Sequence, residues 1–157
     1  WSSAEACQET VREFLPDADL VKLSDEECFF VTGKHSILDA ADWLFEQGCK
    51  MVLYSMGKEG AMILTPHFSS HVENPEVRVK DTTGAGDAII GAYLYCLAKN
   101  HITVSQLADC LPEQVQEWLT FAVYYANYSI TKSGAIASYP DYTTFVKWMQ
   151  EKRKKAH

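Results

Sequence analysis

The stretch DTTGAGD, residues 81–87, stands directly before an apolar, helical pattern that continues to about residue 99. The first N–H groups of a helix have no carbonyl partners and lie at the positive end of the helix dipole. Because Gly84, Ala85 and Gly86 are small, another group can approach that backbone closely. The stretch therefore predicts a site that binds a phosphate or stabilises charge on a phosphoryl group during transfer.

Asp87 lies in the first turn of the same predicted helix, beside the anion site. Its carboxylate could accept the proton of an attacking hydroxyl, which is the base role in phosphoryl transfer. A purely structural interpretation is also open. In that case Thr82 or Thr83 caps the helix, and Asp87 only complements the helix dipole.

Two better-known phosphate motifs are missing from the sequence. The P-loop string G-x-x-x-x-G-K-[ST] does not occur. The dinucleotide pattern G-x-G-x-x-G needs a glycine at position 89, where Ile89 stands. This spacing argues against a dinucleotide-dependent oxidoreductase.

The elements around the site alternate between strands and helices. Strands are predicted at 18–23, 50–55, 61–65 and 76–80, and the last of them leads into DTTGAGD. Helices are predicted over 2–16, 24–33, 36–48, 84–99, 112–132, briefly after 103 and finally through 148. Capping-box pairs at Ser2 with Glu5 and at Ser24 with Glu27 mark two of the helix starts. The alternation predicts one α/β domain over residues 1–157, with helices on the faces of the sheet.

Composition narrows the class of protein. The net charge of -7 argues against a nucleic-acid surface. No apolar run approaches the roughly 20 residues that a membrane-spanning helix needs. The five cysteines form no C-x-x-C pair, which indicates reduced thiols in a cytoplasmic protein. The first residue is Trp1 rather than Met, so we expect a fragment of a longer chain.

DTTGAGD and the helix after it resemble the signature of the ribokinase/PfkB family of carbohydrate kinases. Three more segments agree with that family in order and spacing: LVKLSDEECFFVTG, VLYSMGKEGAMI and ANYSITKSGAIASYP. They resemble its N-x-x-E segment, its T-x-G-x-x-G nucleotide segment and the closing segment that curls around the nucleotide. The resemblance implies part of a ribokinase-like three-layer α/β sandwich. It also implies ATP-dependent transfer of the γ-phosphoryl group to a sugar hydroxyl.

The resemblance gives roles to the residues near phosphate. Asp87 matches the catalytic base, and the backbone N–H groups of Gly84, Ala85 and Gly86 match the anion hole. Glu27 matches the residue that helps organise Mg²⁺, through water, since Mg²⁺ gives up its hydration reluctantly. The alternative role of Glu27, a capping-box partner of Ser24, can hold at the same time.

The resemblance also marks the nucleotide contacts, which are Ser24, Ser55, Gly57, Lys58, Gly60, Gly86, Val123 and Asn127. The structural alternative for residues 55–60 is an ordinary hairpin between two buried strands. Ser24 and Ser55 replace a more usual Asn and Thr. Val123 stands where relatives often place Asn or His against the base, so that hydrogen bond is lost here. Asn127, four residues later on the same helix face, is a candidate to replace it, and a polar surface role is the alternative.

A monovalent-cation site, for K⁺, is implied around Asp81 and Thr83. The other matching positions are backbone groups near Ser129, Lys132, Gly134 and Ser138. Oxygen-rich loops suit a hard cation. The use of potassium varies across the family.

Members of this family are about twice as long as this chain, so it matches their C-terminal, nucleotide-binding half. The missing half supplies most sugar contacts and the lid, through which members often form homodimers. The segments look most like bacterial fructokinases, and ribokinase, ketodeoxygluconate kinase and nucleoside-type kinases remain open. We therefore expect a fructose-phosphorylating kinase with ATP and Mg²⁺, whose isolated half is weakly active or inactive. The alternative is a non-catalytic, nucleotide-binding half-kinase.

Overall fold

The computed structural model describes residues 1–155. Its helices are α1 (Ala4–Phe14), α2 (Asp25–Thr32), α3 (Ile37–Glu46), α4 (Ala85–Lys99), α5 (Pro112–Ser129) and α6 (Tyr142–Lys155). Its strands are β1 (Leu20–Ser24), β2 (Met51–Ser55), β3 (Ala61–Leu64) and β4 (Ser69–Val72). Short 3₁₀ turns lie at Leu15–Asp17, Gly57–Glu59, Val104–Asp109 and Ile136–Ser138. None of the helices described is both long and apolar enough to span a membrane.

The four strands form one sheet in the order β1-β2-β3-β4. β1 runs parallel to β2, with Ser24 opposite Ser55 at the carboxyl end of both strands. β2, β3 and β4 then pair antiparallel to one another. The loop after Ser55 therefore joins β2 and β3 as a hairpin, which agrees with the structural alternative for residues 55–60 and leaves their nucleotide contacts a prediction.

Helices cover both faces of the sheet, because side chains alternate between the faces along each strand. Leu53 and Ile63 point to one face, where they join a buried apolar core with α4 and α5. Val52 and Leu64 point to the other face and pack against α2 and α3. The three layers confirm the predicted α/β sandwich.

Helix starts were predicted with mixed success. At α2, the Ser24 hydroxyl accepts the Glu27 N–H at 3.4 Å, and the Glu27 carboxylate accepts the Ser24 N–H at 2.7 Å. The capping box predicted there is confirmed. At α1 the cap is Ser3, whose hydroxyl accepts the Ala6 N–H at 3.1 Å, so the predicted Ser2 box is wrong. Two adjacent serines are equally good caps, and the one directly before Ala4 is used.

The predicted strand at 76–80 is wrong. This segment is extended but joins no sheet, and the N–H groups of Lys80 and Asp81 donate to the Ile130 carbonyl at 2.8 and 3.2 Å. Its alternating valines, Val77 and Val79, line a cavity instead. The fourth strand is β4, which the sequence analysis missed. The short helix predicted after Thr103 is 3₁₀, and several boundaries differ: α1 ends at Phe14, α5 ends at Ser129 and α6 continues to Lys155.

All five cysteines are free thiols. Cys28 and Cys49 lie in the core between the sheet and α2–α3, while Cys96 and Cys110 lie in the core on the opposite face. Burial raises the pKa of these four thiols, that of Cys96 to about 12. Cys7, on α1, is only partly buried.

Candidate active site

The start of α4 is shaped by Gly84. Its φ of 78° and ψ of 5° are left-handed, a conformation that favours glycine. A Cβ there would lie 2.8 Å from the Ala135 Cβ and 2.9 Å from the Tyr139 hydroxyl oxygen. That hydroxyl donates to the Gly84 carbonyl at 2.9 Å. The turn around Ala135 and Tyr139 is thereby held against the helix start.

No side chain caps α4, so the interpretation in which Thr82 or Thr83 caps it is wrong. The Ala85 N–H donates to the Thr82 carbonyl at 3.1 Å within the turn, so its predicted place in the anion hole is wrong. Across residues 1–155, no backbone carbonyl accepts from the N–H of Gly86 or Asp87. Free N–H groups at a helix start form an anion-binding position.

A cavity of about 650 Å³ opens beside this helix start. It is lined by seven of the predicted nucleotide-binding residues, namely Ser55, Gly57, Lys58, Gly60, Gly86, Val123 and Asn127. The eighth, Ser24, is not among the lining residues, although it pairs with Ser55 in the sheet. The structure thus gathers the predicted residues from three separate segments around one cavity.

Asp87 and Gly86 are neighbours in sequence but line different cavities. Gly86 lines the larger one, whereas the exposed Asp87 lines a groove of about 290 Å³ between α4, α5 and the start of α6. Burial and the nearby Asp87 carboxylate both raise the pKa of Tyr139, which lines the same groove. The two neighbouring residues at the start of α4 therefore border two different cavities.

Lys22 is a residue of this site that the sequence analysis missed. A Cβ built on Gly86 would lie 3.2 Å from the Lys22 Nζ, so this ammonium reaches the anion position from β1. The same Nζ lies 3.1 Å from Glu27 Oε2. The signal in the sequence was a lone lysine within the apolar strand LVKL, two residues before Ser24.

Glu27 connects Lys22 with the end of β1. Partial burial raises the pKa of this carboxyl, but the Ser24 N–H and the Lys22 ammonium outweigh burial, and the net shift is downward. Both of these donors use Oε2. Among the described residues none donates to Oε1, so one carboxylate oxygen remains for a hydrated Mg²⁺, which prefers such ligands. Glu27 thus forms the predicted capping box, and its role toward Mg²⁺ stays a prediction.

Asp81 links the segment before α4 to the turn after α5 through hydrogen bonds. Its Oδ1 accepts the Thr83 N–H at 2.9 Å, and its Oδ2 accepts the Gly134 N–H at 2.8 Å. The hydroxyls of Ser129 and Ser138 are buried and donate to nearby carbonyls, while the Lys132 ammonium lies 4.6 Å from the centre of the Tyr128 ring. The structure therefore joins Asp81 directly to Thr83 and Gly134 only. The other predicted positions bond within their own turns.

Asp81 should make the stability of this loop depend on pH. The Gly134 and Thr83 hydrogen bonds lower the pKa of Asp81 to about 2, below the usual value for Asp. A lowered pKa in the folded state stabilises the protein above the unfolded pKa, about 4, and this stabilisation is lost as pH falls towards 2. We expect Asp81→Asn to reduce the fall in melting temperature between pH 5 and 2. An unchanged acid profile would contradict this assignment, and Asp42→Asn, on α3, is the control.

The fold and the site together define a class: an α/β protein with a free helix N-terminus, a lysine and a carboxylate around a position for phosphate. Residues 1–142 match the family described as pfkB family carbohydrate kinase. The chain belongs to this family, as the resemblance in the sequence predicted.

Individual relatives agree with the family. The chain is 32% identical over 141 residues to fructokinase-2 of Solanum habrochaites, covering 89% of this chain and 42% of that protein. It is similar to a fructokinase double mutant of Vibrio cholerae O395 bound to fructose, ADP and potassium ion, with 29% identity and a TM-score of 0.81. A fructokinase of Xylella fastidiosa with bound ATP gives 25% identity and a TM-score of 0.85.

The two structural matches cover 95% and 93% of this chain but only 46% and 47% of the solved chains. The chain thus spans less than half the length of these relatives. The activity of a whole kinase is for that reason a proposal here.

Proposed function

We propose that this chain is the ATP-binding and catalytic half of a sugar kinase that phosphorylates fructose. One observation carries the proposal. Gly86 and Asp87 lie side by side at the free start of α4, yet they line different cavities. A phosphoryl group at this position would meet the nucleotide on one side and an acceptor hydroxyl beside the carboxylate on the other.

Each residue then has a chemical task. The N–H groups at Gly86 and Asp87 and the Lys22 ammonium stabilise charge on the transferring phosphoryl group. Asp87 accepts the proton of the attacking hydroxyl, which raises the nucleophilicity of its oxygen. Glu27 holds hydrated Mg²⁺, which when bound neutralises phosphate charge. The loop of Ser55 to Gly60 contacts the phosphates and ribose.

Fructose as the acceptor is supported by the names of the relatives, which are fructokinases from plants and bacteria. Ribose and ketodeoxygluconate remain alternative acceptors. The second candidate function is a non-catalytic nucleotide-binding module. It is favoured by the coverage, because the chain spans 42% of the Solanum relative.

Two further assignments belong to the same proposal. K⁺ binds near Asp81, as the potassium-bound Vibrio relative suggests. The protein acts in the cytoplasm, where its free thiols remain reduced. We also propose that the full-length protein forms a homodimer.

The test compares the isolated chain with the full-length protein that we propose contains it. Calorimetry should detect ATP binding to the isolated chain, with little phosphorylation of any sugar. The full-length protein should phosphorylate fructose with a higher kcat/KM than ribose or ketodeoxygluconate. No turnover with any sugar would favour the binding module, and rapid turnover by the isolated chain would contradict the half-enzyme proposal.

Lys22→Met should weaken ATP binding to the isolated chain by about tenfold or more, because a charge-assisted hydrogen bond to phosphate is lost. The difference from wild type should shrink at high salt. Calorimetry at two salt concentrations measures both effects. Lys50→Met is the matched control, since Lys50 pairs with Asp19 at 2.5 Å away from the cavity. Equal ATP affinity in wild type and Lys22→Met would remove Lys22 from the site.

A further inference from the structure

Two asparagine side chains connect the three segments around one end of the large cavity. Asn127 of α5 donates from Nδ2 to Asn74 Oδ1 at 2.8 Å. Asn74, just after β4, donates from Nδ2 to the Gly57 carbonyl at 2.8 Å. The Asn127 Nδ2 also donates to the Val123 carbonyl, one turn earlier, at 2.8 Å. The two amides thus bridge α5, the extended segment and the loop after β2.

These partners fix the orientation of both amides. A backbone carbonyl oxygen only accepts, so the carbonyls of Val123 and Gly57 each require an NH₂ group facing them. The Asn74 oxygen then faces the Asn127 NH₂ group. A 180° flip of either amide would place its oxygen against a backbone carbonyl oxygen, and both atoms only accept hydrogen bonds. Asn127 is therefore locked with both of its N–H donors used inside the protein.

The lock leaves the Asn127 Oδ1 without a donor. Asn127 is 5% exposed, so a polar surface role is wrong, and it lines the cavity. Within residues 1–155, no side-chain oxygen or nitrogen that is sealed from solvent lacks a hydrogen-bond partner. The Oδ1 atom is consequently open to solvent, and the cavity is the space that Asn127 lines. This oxygen can accept a hydrogen bond from an N–H or O–H group of a ligand.

The position of Asn127 in the cavity indicates which part of a nucleotide it meets. Val123, Ala126 and Ile130, on the same helix as Asn127, also line the cavity, and Val77 and Val79 line it from the extended segment. The charged end, with Gly86 and the Lys22 ammonium, lies at the start of α4. A flat base suits the apolar end, and phosphates suit the charged end.

We infer that Asn127, held in place by Asn74, selects a base with an exocyclic amino group over one with a carbonyl at the same position. Adenine carries the amino group, and hypoxanthine carries the carbonyl. The adenine amino group donates to Oδ1, whereas the hypoxanthine oxygen would face a second acceptor. This inference rests on the proposed function, because it places a nucleotide in this cavity.

The test is calorimetric binding of ATP and ITP to the chain. Wild type should bind ATP about 10- to 100-fold more tightly than ITP, as one lost hydrogen bond and an unpaired acceptor imply. Asn127→Leu should bring the ATP-to-ITP ratio close to one, mainly by weakening ATP. Asn74→Ala should lower the ratio by a smaller factor, because the Asn127 amide then keeps only the Val123 carbonyl to orient it.

Asn100→Leu is the matched control. Its Nδ2 makes the same bond to the carbonyl four residues earlier, at 2.8 Å to Cys96, outside this cavity. We expect it to keep the wild-type ratio. If Asn127→Leu does not fold, Asn74→Ala decides the question alone.

The possible results distinguish a failure of this inference from a failure of the proposed function. ATP binding with an unchanged ATP-to-ITP ratio in Asn127→Leu and Asn74→Ala would overturn the inference and leave the proposed function intact. Failure of wild type to bind either nucleotide would overturn the proposed function, and with it the inference.

Discussion

Asp87→Asn should lower kcat of the full-length protein by about 100- to 10,000-fold, the range expected for loss of a general base. Asparagine keeps the shape of the side chain but cannot take up the proton of the acceptor hydroxyl. ATP affinity should stay equal or rise slightly, since a negative charge beside the phosphate position is removed. Steady-state kinetics and ATP calorimetry on the same preparation measure the two effects.

Asp39→Asn is the matched control for this substitution. Asp39 is likewise exposed and lies in the first turn of its helix, α3, away from the cavity. Both variants should lose similar, small amounts of stability, because each removes one carboxylate from a helix N-terminus. Retained turnover in Asp87→Asn would show that another group takes the proton.

Gly60→Ala should destabilise the protein by about 3–5 kcal/mol, through backbone strain and steric overlap together. Gly60 has φ 99° and ψ -137°, and a Cβ there would lie 2.0 Å from the Val72 carbonyl oxygen. That oxygen belongs to β4 and cannot move without disturbing the sheet. Thermal denaturation should show a fall in melting temperature of about 10 °C or more.

Gly57→Ala is the matched control in the same loop. Gly57 has φ 53°, but a Cβ there would meet no atom within 4 Å. It should cost only about 1–2 kcal/mol, the strain of a left-handed alanine. Equal losses in the two variants would mean that the contact with β4 is not the reason for the glycine at position 60.

Local sequence signals predicted the parts of the fold that depend on neighbouring residues. The Ser24–Glu27 capping box, and Gly33 at the end of α2 with φ 73°, are settled within a few residues of chain. The start of α4 was also predicted from the sequence, because the small residues that form it are adjacent. By contrast β4, with the sequence SSHV, buries Ser70 as well as Val72, so its apolar alternation is weak. Its place in the sheet depends on β3 rather than on its own composition.

The contacts that the sequence could not supply join distant parts of the chain. Lys22 reaches Gly86 only because β1 ends beside α4 in the folded protein. Asn74 and Asn127 are 53 residues apart and meet across the cavity. The valines at 77 and 79 carry a strand-like pattern, yet the segment bonds to the end of α5, and no local propensity distinguishes these outcomes.

The distribution of the thiols gives the protein two built-in chemical reporters. Cys28 and Cys49 are sealed on one face of the sheet, and Cys96 and Cys110 on the other. A thiol-specific reagent reaches each pair only after the helices on that face have moved away. Labelling during unfolding, followed by peptide mapping, therefore reports separately when each helical layer opens. The layer of α4 and α5, which carries Asp87, can be followed in this way independently of the layer of α2 and α3.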